Sequence, residues 1–330
     1  MILKRWRALW NHDMYHGWGR KDGYFEGWYV KVVSADQKHA YAFIPGISKG
    51  WNGETHSFVQ VMDGVRHEGS YQKYSVDSFV PSESKFDTQL ANNRFSKAGI
   101  TLDLENIKGT LSFSEHIDWP TKLIAPGIMG WYSFVPFMQC YHGIVSLGHQ
   151  IAGSLMIRGE EVDFTGGKGY MEKDWGTSFP KSWIWMQSNH FKRDTGDREA
   201  QCIMCSVAHI PWMGTHFIGF LTSFVFGDEI LIFTTYNGSK MKASVDGDMI
   251  YLSFKRKNQR LEVIAQKKKG GELISPMKGN MEGKLEESLQ SIINVQLFIN
   301  EELRYDGQGT SSGLEIAGPY DLLLSEKWKK

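Results

Sequence analysis

The amino-acid sequence predicts an all-β protein in two parts, and three observations lead there. Strand-length runs are separated by the hairpin dipeptides Asn52-Gly53, Asp63-Gly64, Asn237-Gly238 and Asp246-Gly247, residue pairs that adopt the positive φ angles of tight antiparallel turns. Near the end of the chain Ile293, Val295, Leu297 and Ile299 alternate with Asn294, Gln296, Phe298 and Asn300, the period of a half-buried strand and not of a helix. The 330 residues also exceed what one hydrophobic core usually fills, since a domain takes roughly 150.

The strongest meander lies between residues 229 and 265, where four strands are expected to follow one another antiparallel, at 230–236, 241–245, 249–255 and 261–265. Only 284–290 looks locally helical, and it is short. So many strands must close on themselves or cover their edges, which makes barrels or sandwiches the expected architecture. Gly, Ser and Pro cluster at 176–182 between two strongly patterned runs. The domain boundary is placed there, giving an N-terminal domain at 1–179 and a C-terminal domain at 180–330.

Composition narrows the function. Lys and Arg (37) balance Asp and Glu (37), so no net field gathers nucleic acid or anionic lipid over the whole surface, and a neutral or lipophilic ligand fits better. Residues 1–10 mix charges with apolar side chains and lack the apolar core of a signal peptide. No window approaches the ~18 apolar residues of a spanning helix, so an oily ligand would come from a carrier or by transient contact with a membrane surface. Cys140, Cys202 and Cys205 are an odd set and cannot be a full disulfide framework, which points to a reducing cytoplasm. Cys202 and Cys205 form a lone Cys-x-x-Cys, and Gly166-Gly167-Lys168-Gly169 matches no nucleotide fingerprint. No metal and no cofactor are expected. Without a Gly-x-Ser-x-Gly elbow or a His-Glu-x-x-His, hydrolysis by serine or zinc has no support.

Aromatic residues make up 13% of the chain and cluster beside polar ones, which suits a pocket, although large β cores collect aromatics as well. The most informative stretch is Gly169-Tyr170-Met171-Glu172-Lys173-Asp174-Trp175-Gly176. In a strand, Tyr170, Glu172 and Asp174 share a face, with the two carboxylates about 7 Å apart. In a dry site one of the pair would keep its proton and could act as a general acid; on a wet face, or against Arg or Lys, it would not. In Trp183-Ile184-Trp185-Met186-Gln187-Ser188-Asn189 the same alternation puts Trp183, Trp185, Gln187 and Asn189 on one face, as in a pocket wall. Glu26 stands between Tyr24 and Trp28 on its own strand face, either as a buried acid or as a structural hydrogen-bond acceptor. His142 shares a face with Met138, Cys140 and Ile144, where a core histidine and a catalytic one both remain open.

At these residues the sequence resembles the tocopherol cyclase family. The matching pieces are Tyr24 to Lys31, Gly169 to Gly176 with Ser178-Phe179-Pro180-Lys181, and Trp183 to Asn189. Glu172-Lys173-Asp174-Trp175-Gly176 is also similar to a pattern in carotenoid hydratases and their relatives. The sequence departs from the plant cyclases at Asp174, where Asn is expected in them. The resemblance implies two lipocalin-like antiparallel β-barrels packed together with few short helices. It also implies protonation of a prenyl double bond followed by capture of the tertiary cation by a phenol oxygen, with no redox cofactor. An ordinary Glu has a pKa of ~4.3, so the donor's environment must raise it. The expected catalytic residues are Glu172, Asp174 and Glu26; the expected substrate-binding residues are Trp28, Tyr170, Trp175, Trp183, Trp185, Gln187 and Asn189. A prenylquinol or another polyene lipid would be the substrate. The alternative function is a lipocalin-like carrier that binds a lipophile unchanged.

Overall fold

The computed structural model describes residues 2–192 and 199–324. A short helix α1 (Ile2–Ala8) precedes β1 (Tyr24–Val33), β2 (Ala40–Lys49), β3 (Thr55–Asp63) and β4 (Glu68–Tyr74). Short strands β5 (Phe79–Pro81), β6 (Asp87–Leu90), β7 (Asn93–Ser96) and β8 (Gly99–Asp103) lead to β9 (Ile107–Ile117), β10 (Cys140–Ile157), β11 (Glu160–Asp163) and β12 (Lys168–Gly176). These form one sheet in the order β4-β3-β2-β1-β12-β10-β9-β8-β7-β6-β5, with β11 on β10.

A second sheet begins with β13 (Trp183–Ser188), β14 (His190–Phe191), β15 (Ala200–Trp212), β16 (Thr215–Phe226) and β17 (Glu229–Thr234). It continues through β18 (Lys240–Asp246), β19 (Met249–Arg256), β20 (Gln259–Gln266), β21 (Gly271–Met277), β22 (Asn280–Ile299) and β23 (Glu302–Ala317). Its order is β17-β16-β15-β13-β23-β22-β20-β19-β18, with β14 on β23 and β21 on β22. The all-β expectation holds: both sheets are antiparallel, and α1 is the single α-helix among the described residues.

Turn chemistry explains much of this order. Gly53 (φ +82) and Gly247 (φ +56) turn the chain between β2 and β3 and between β18 and β19, while Asp63 Oδ1 accepts the amides of Val65 and Arg66 after β3. Asn237-Gly238 behaves differently. The Asn237 side chain accepts the Thr234 and Ser239 amides and donates to Ile232 O, capping β17 where a hairpin was expected. As a result β17 pairs with β16, and β18 stands at the other end of the ladder, so the expected meander is three paired strands plus one. The helix expected at 284–290 is strand as well. Pairing of Glu287 with Glu315 and Ser288 with Leu314 holds it extended in β22, a tertiary override of local preference.

The chain divides into two compact units, Met1–Phe179 with Leu273–Lys284, and Pro180–Glu272 with Leu285–Lys330. The segment Leu273–Lys284 is held to the first by hydrogen bonds: Gln60 Nε2 donates to Ile274 O, Ile274 N donates to Gln60 Oε1, and Ser48 Oγ donates to Gly279 O. The first core gathers Trp28, Val30, Phe43, Leu111, Met171 and Trp175. The second gathers Ile184, Met186, Phe224, Phe254, Leu261 and Val295. Each is built from every second residue of its strands, as one-sided burial of a sheet requires.

Candidate active site

In the first unit β12 runs between β1 and β10. Across one ladder Glu172 faces Tyr29 and Asp174 faces Gly27; across the other, Glu172 faces Ile144 and Asp174 faces His142. Met171 and Trp175 point into the core, so alternation turns Tyr170, Glu172 and Asp174 to the opposite face. Opposed residues of an antiparallel pair share a face, and that brings His142 to the same place.

There His142 lies between the two carboxylates. Its Nδ1 is 2.9 Å from Asp174 Oδ1 and its Nε2 is 3.5 Å from Glu172 Oε2. Glu172 is 5% exposed and accepts a short hydrogen bond from the Tyr170 hydroxyl. Cys140 Sγ approaches Asp174 Oδ1 at 3.9 Å. Burial by itself would lower the His142 pKa, but the adjacent Asp174 and then Glu172 outweigh it and hold the imidazole at about 9. At neutral pH it is therefore an imidazolium facing two acids.

These three side chains offer ligand atoms within 4.8 Å of one another, the one such group among the described residues. The imidazole, however, presents a different nitrogen to each carboxylate. Ligands of one ion converge on a single point, whereas this geometry is that of a cation bridging two anions.

Glu26 occupies the other face. Fully buried, it accepts the amides of His16 and Gly17 and the Tyr24 hydroxyl, and it pairs with Lys173 Nζ at 2.5 Å. The ammonium also donates to Met14 O and to His16 Nδ1, which satisfies its three protons. Burial alone would raise the Glu26 pKa, yet Lys173 and the His16 hydrogen bond prevail and hold it at about 2. Glu26 is an ionised structural carboxylate, so this geometry speaks against its being a proton donor. Trp28 and Trp175 sit on the same face, with Lys173 Nζ 4.8 Å and 4.6 Å from their ring centres. Trp28 stacks on Phe86 and Trp175 on His16. Both indoles enclose the ammonium on the face opposite Glu172.

In the second unit Ile184 and Met186 enter the core, and Trp183, Trp185 and Gln187 take the other face of β13. Trp183 Nε1 donates to Glu315 Oε2 at 2.7 Å, and Trp185 is opposed by Glu315 and Ser206. Asn189 lies in the break between β13 and β14, where the alternation ends.

Residues 102–318 match the tocopherol cyclase-like family. The chain belongs to that family. The tocopherol cyclase-like match includes β9 to β12 and every strand of the second sheet. Two plant proteins share a 68-residue stretch with it: a probable chloroplastic tocopherol cyclase of Oryza sativa subsp. japonica at 34% identity and a chloroplastic tocopherol cyclase of Zea mays at 32%. The stretch is 21% of this chain and spans only 14% of each relative. Among solved structures, CghA superposes with a TM-score of 0.56 at 9% identity, covering 89% of this chain and 88% of its own. A putative AttH from Nitrosomonas europaea gives 0.53 at 11% identity, covering 89% and 92%. At such identities the likeness shows the fold, two lipocalin-like antiparallel sheets.

Sequence reasoning left two residues of these sites unassigned. His142 is 30 positions from Glu172, and only the ladder between β10 and β12 joins them. Lys173 stands inside the acid motif itself, and the alternation that pairs Glu172 with Asp174 was enough to send its ammonium to the face of Glu26.

Proposed function

We propose that the protein is a proton-initiated cyclase, or hydratase, of a prenylated quinol or another polyene lipid, with Glu172 as the acid. The observation that carries this reading is the His142 imidazole held between Glu172 and Asp174. Two carboxylates held this close to one imidazole disfavour full ionisation of both, so one of the pair can keep a proton. His142 sits closer to Asp174, so the arrangement that keeps an ion pair intact leaves that proton on Glu172.

Glu172 then gives its proton to the less substituted carbon of a prenyl double bond. The π electrons form the new C–H bond, and positive charge develops on the more substituted carbon. A phenol oxygen attacks that carbon, and its proton returns to the Glu172 carboxylate. The sum is an isomerisation in which no electrons are gained or lost. Water in place of the phenol gives hydration. Tyr170, which donates to Glu172, fixes the carboxyl's orientation. Trp183, Trp185 and Gln187, on one face of β13 in the second unit, are proposed as lipid-binding residues of that unit. The plant relatives' names support the choice of substrate class. None of the three cysteines is in a disulfide, which fits a reducing compartment such as the cytoplasm.

The test is turnover of candidate prenylquinols and polyenes by wild type and Glu172→Gln, with binding measured in parallel. Gln keeps the size and hydrogen bonds of Glu but not the acid, so turnover should fall roughly 10²–10⁴-fold while binding changes little. Full turnover in the variant would place the acid elsewhere. A lipid bound tightly by wild type and never converted would establish the carrier function instead.

A further inference from the structure

We infer that the first unit docks on an anionic membrane surface through a patch formed by α1 and the loop at 122–134. Leu3 and Trp6 on α1 are 78% and 64% exposed, and Leu123 and Ile124 on the loop are 78% and 77% exposed. Trp131 and Phe134, in the same loop, are 47% and 38% exposed. The two segments are joined and not merely adjacent. Trp6 packs on Trp10, Trp10 packs on Phe134, and Trp10 Nε1 donates to Leu123 O at 3.0 Å. Large apolar side chains held together in water mark a contact surface, because single exposed ones are ordinary but a connected set is not.

Charge selects the occupant. Arg5, Arg7 and Lys122 are exposed beside these side chains, and neither 1–12 nor 119–137 contains a carboxylate. Glu83 reaches in from elsewhere and pairs with Lys4. Aromatic rings at headgroup depth, aliphatic tips below them and guanidinium groups among phosphates are the chemistry of an interfacial anchor. A second copy of this chain fits less well, since a two-fold contact would press the same cations against one another. The patch is also continuous with the strand that carries His142. Tyr141 donates to Val135 O, and His12 Nε2 is 2.5 Å from Ile144 O. This inference rests on the proposed reading for its lipid cargo only; the surface chemistry stands without it.

The experiment is co-sedimentation of the full chain with vesicles of phosphatidylcholine alone and of phosphatidylcholine mixed with phosphatidylglycerol. Binding should require the anionic lipid and weaken as salt rises. Replacing both Leu123 and Ile124 with Ser should weaken it at least ten-fold. Arg5→Gln with Arg7→Gln should weaken it roughly ten- to thirty-fold on anionic vesicles only. All four positions lie on the surface, and unchanged melting temperatures would show that the fold is kept. Glu172→Gln should bind vesicles as wild type does, so a failure of the chemistry and a failure of the surface are told apart. Wild-type protein that stays in solution, variants that sediment like wild type, or a dimer that Leu123→Ser dissociates would each overturn the inference.

Discussion

Two buried carboxylate sites lie back to back across β12, and their neighbours make them chemically opposite. On the core face one carboxylate, Glu26, meets one ammonium and three further donors, so its charge and its lone pairs are fully answered. On the other face two carboxylates share the His142 imidazole. Burial is common to Glu26 and Glu172 and cannot be what distinguishes them. The partners do: a carboxylate held by an ammonium resists protonation and ties the sheet together, whereas two carboxylates around one imidazole favour taking up a proton.

That contrast predicts different damage on the two faces. Removing either partner of the inner pair, as in Lys173→Met or Glu26→Gln, should cost ~3–5 kcal/mol of stability, because a buried charge is left without its counterion. The double variant should recover part of the loss, since neither charge is then stranded. Glu172→Gln keeps the side chain's size and a hydrogen-bond acceptor and should cost less stability than either inner variant, while abolishing most turnover. Urea denaturation of wild type and these four variants checks this. If Lys173→Met is as stable as wild type, the inner pair is not structural and the comparison fails.

A smaller effect is expected at Gly176, which ends β12. Its φ is +149, and a Cβ there would lie 2.3 Å from the carbonyl oxygen of Gln139. The Gln139 oxygen also accepts the Thr177 amide, which ties the ends of β10 and β12 together. Gly176→Ala should therefore cost roughly 1–3 kcal/mol, and because Cys140 opposes Gly176, it should also disturb the register that brings His142 to Asp174. The thermal melt and the turnover would both drop. A fully active, stable Gly176→Ala would show that the register is set elsewhere.

How much of this was legible in the sequence depends on whether the information was local. Alternation along 170–176 and 183–187 separates the two faces of each strand correctly, because a strand's period is a property of the strand itself. The turns at Asn52-Gly53, Asp63-Gly64 and Asp246-Gly247 were legible for the same reason. Asn237-Gly238 was not, because the Asn237 side chain chose the backbone of β17 over a hairpin, a competition that composition does not decide. Leu285 and Leu289, four apart, suit a helix as well as a strand with an irregularity, and the ladder with β23 shows register shifts just there. The place of His142 was beyond reach for a related reason: β10 meets β12 through a shifted register between Ile144 and Ser146, and no local pattern encodes which strands pair.

The subtlest prediction uses pH to separate the faces without mutating the fold. The Glu26 pKa is held at about 2 in the folded chain, below its value of ~4.3 in an unfolded one. Its stabilisation is therefore complete above that unfolded value and is lost as pH falls through about 2. His142 runs the other way. Its folded value of about 9 lies above the unfolded ~6.5, so its contribution is complete below pH 6.5 and disappears as pH rises through about 9. Six other histidines, His12, His16, His56, His116, His149 and His209, have lowered values, and they lose stability on acidification instead. A decline in melting temperature between pH 6.5 and about 9 is thus the mark of His142. It should vanish in His142→Gln and persist in Glu26→Gln. Asp174 is the strongest influence raising that histidine, so Asp174→Asn should move the decline, and the alkaline limb of activity with it, to lower pH. If the decline stays where it is in both His142→Gln and Asp174→Asn, the imidazole does not carry the charge that the two acids are proposed to share.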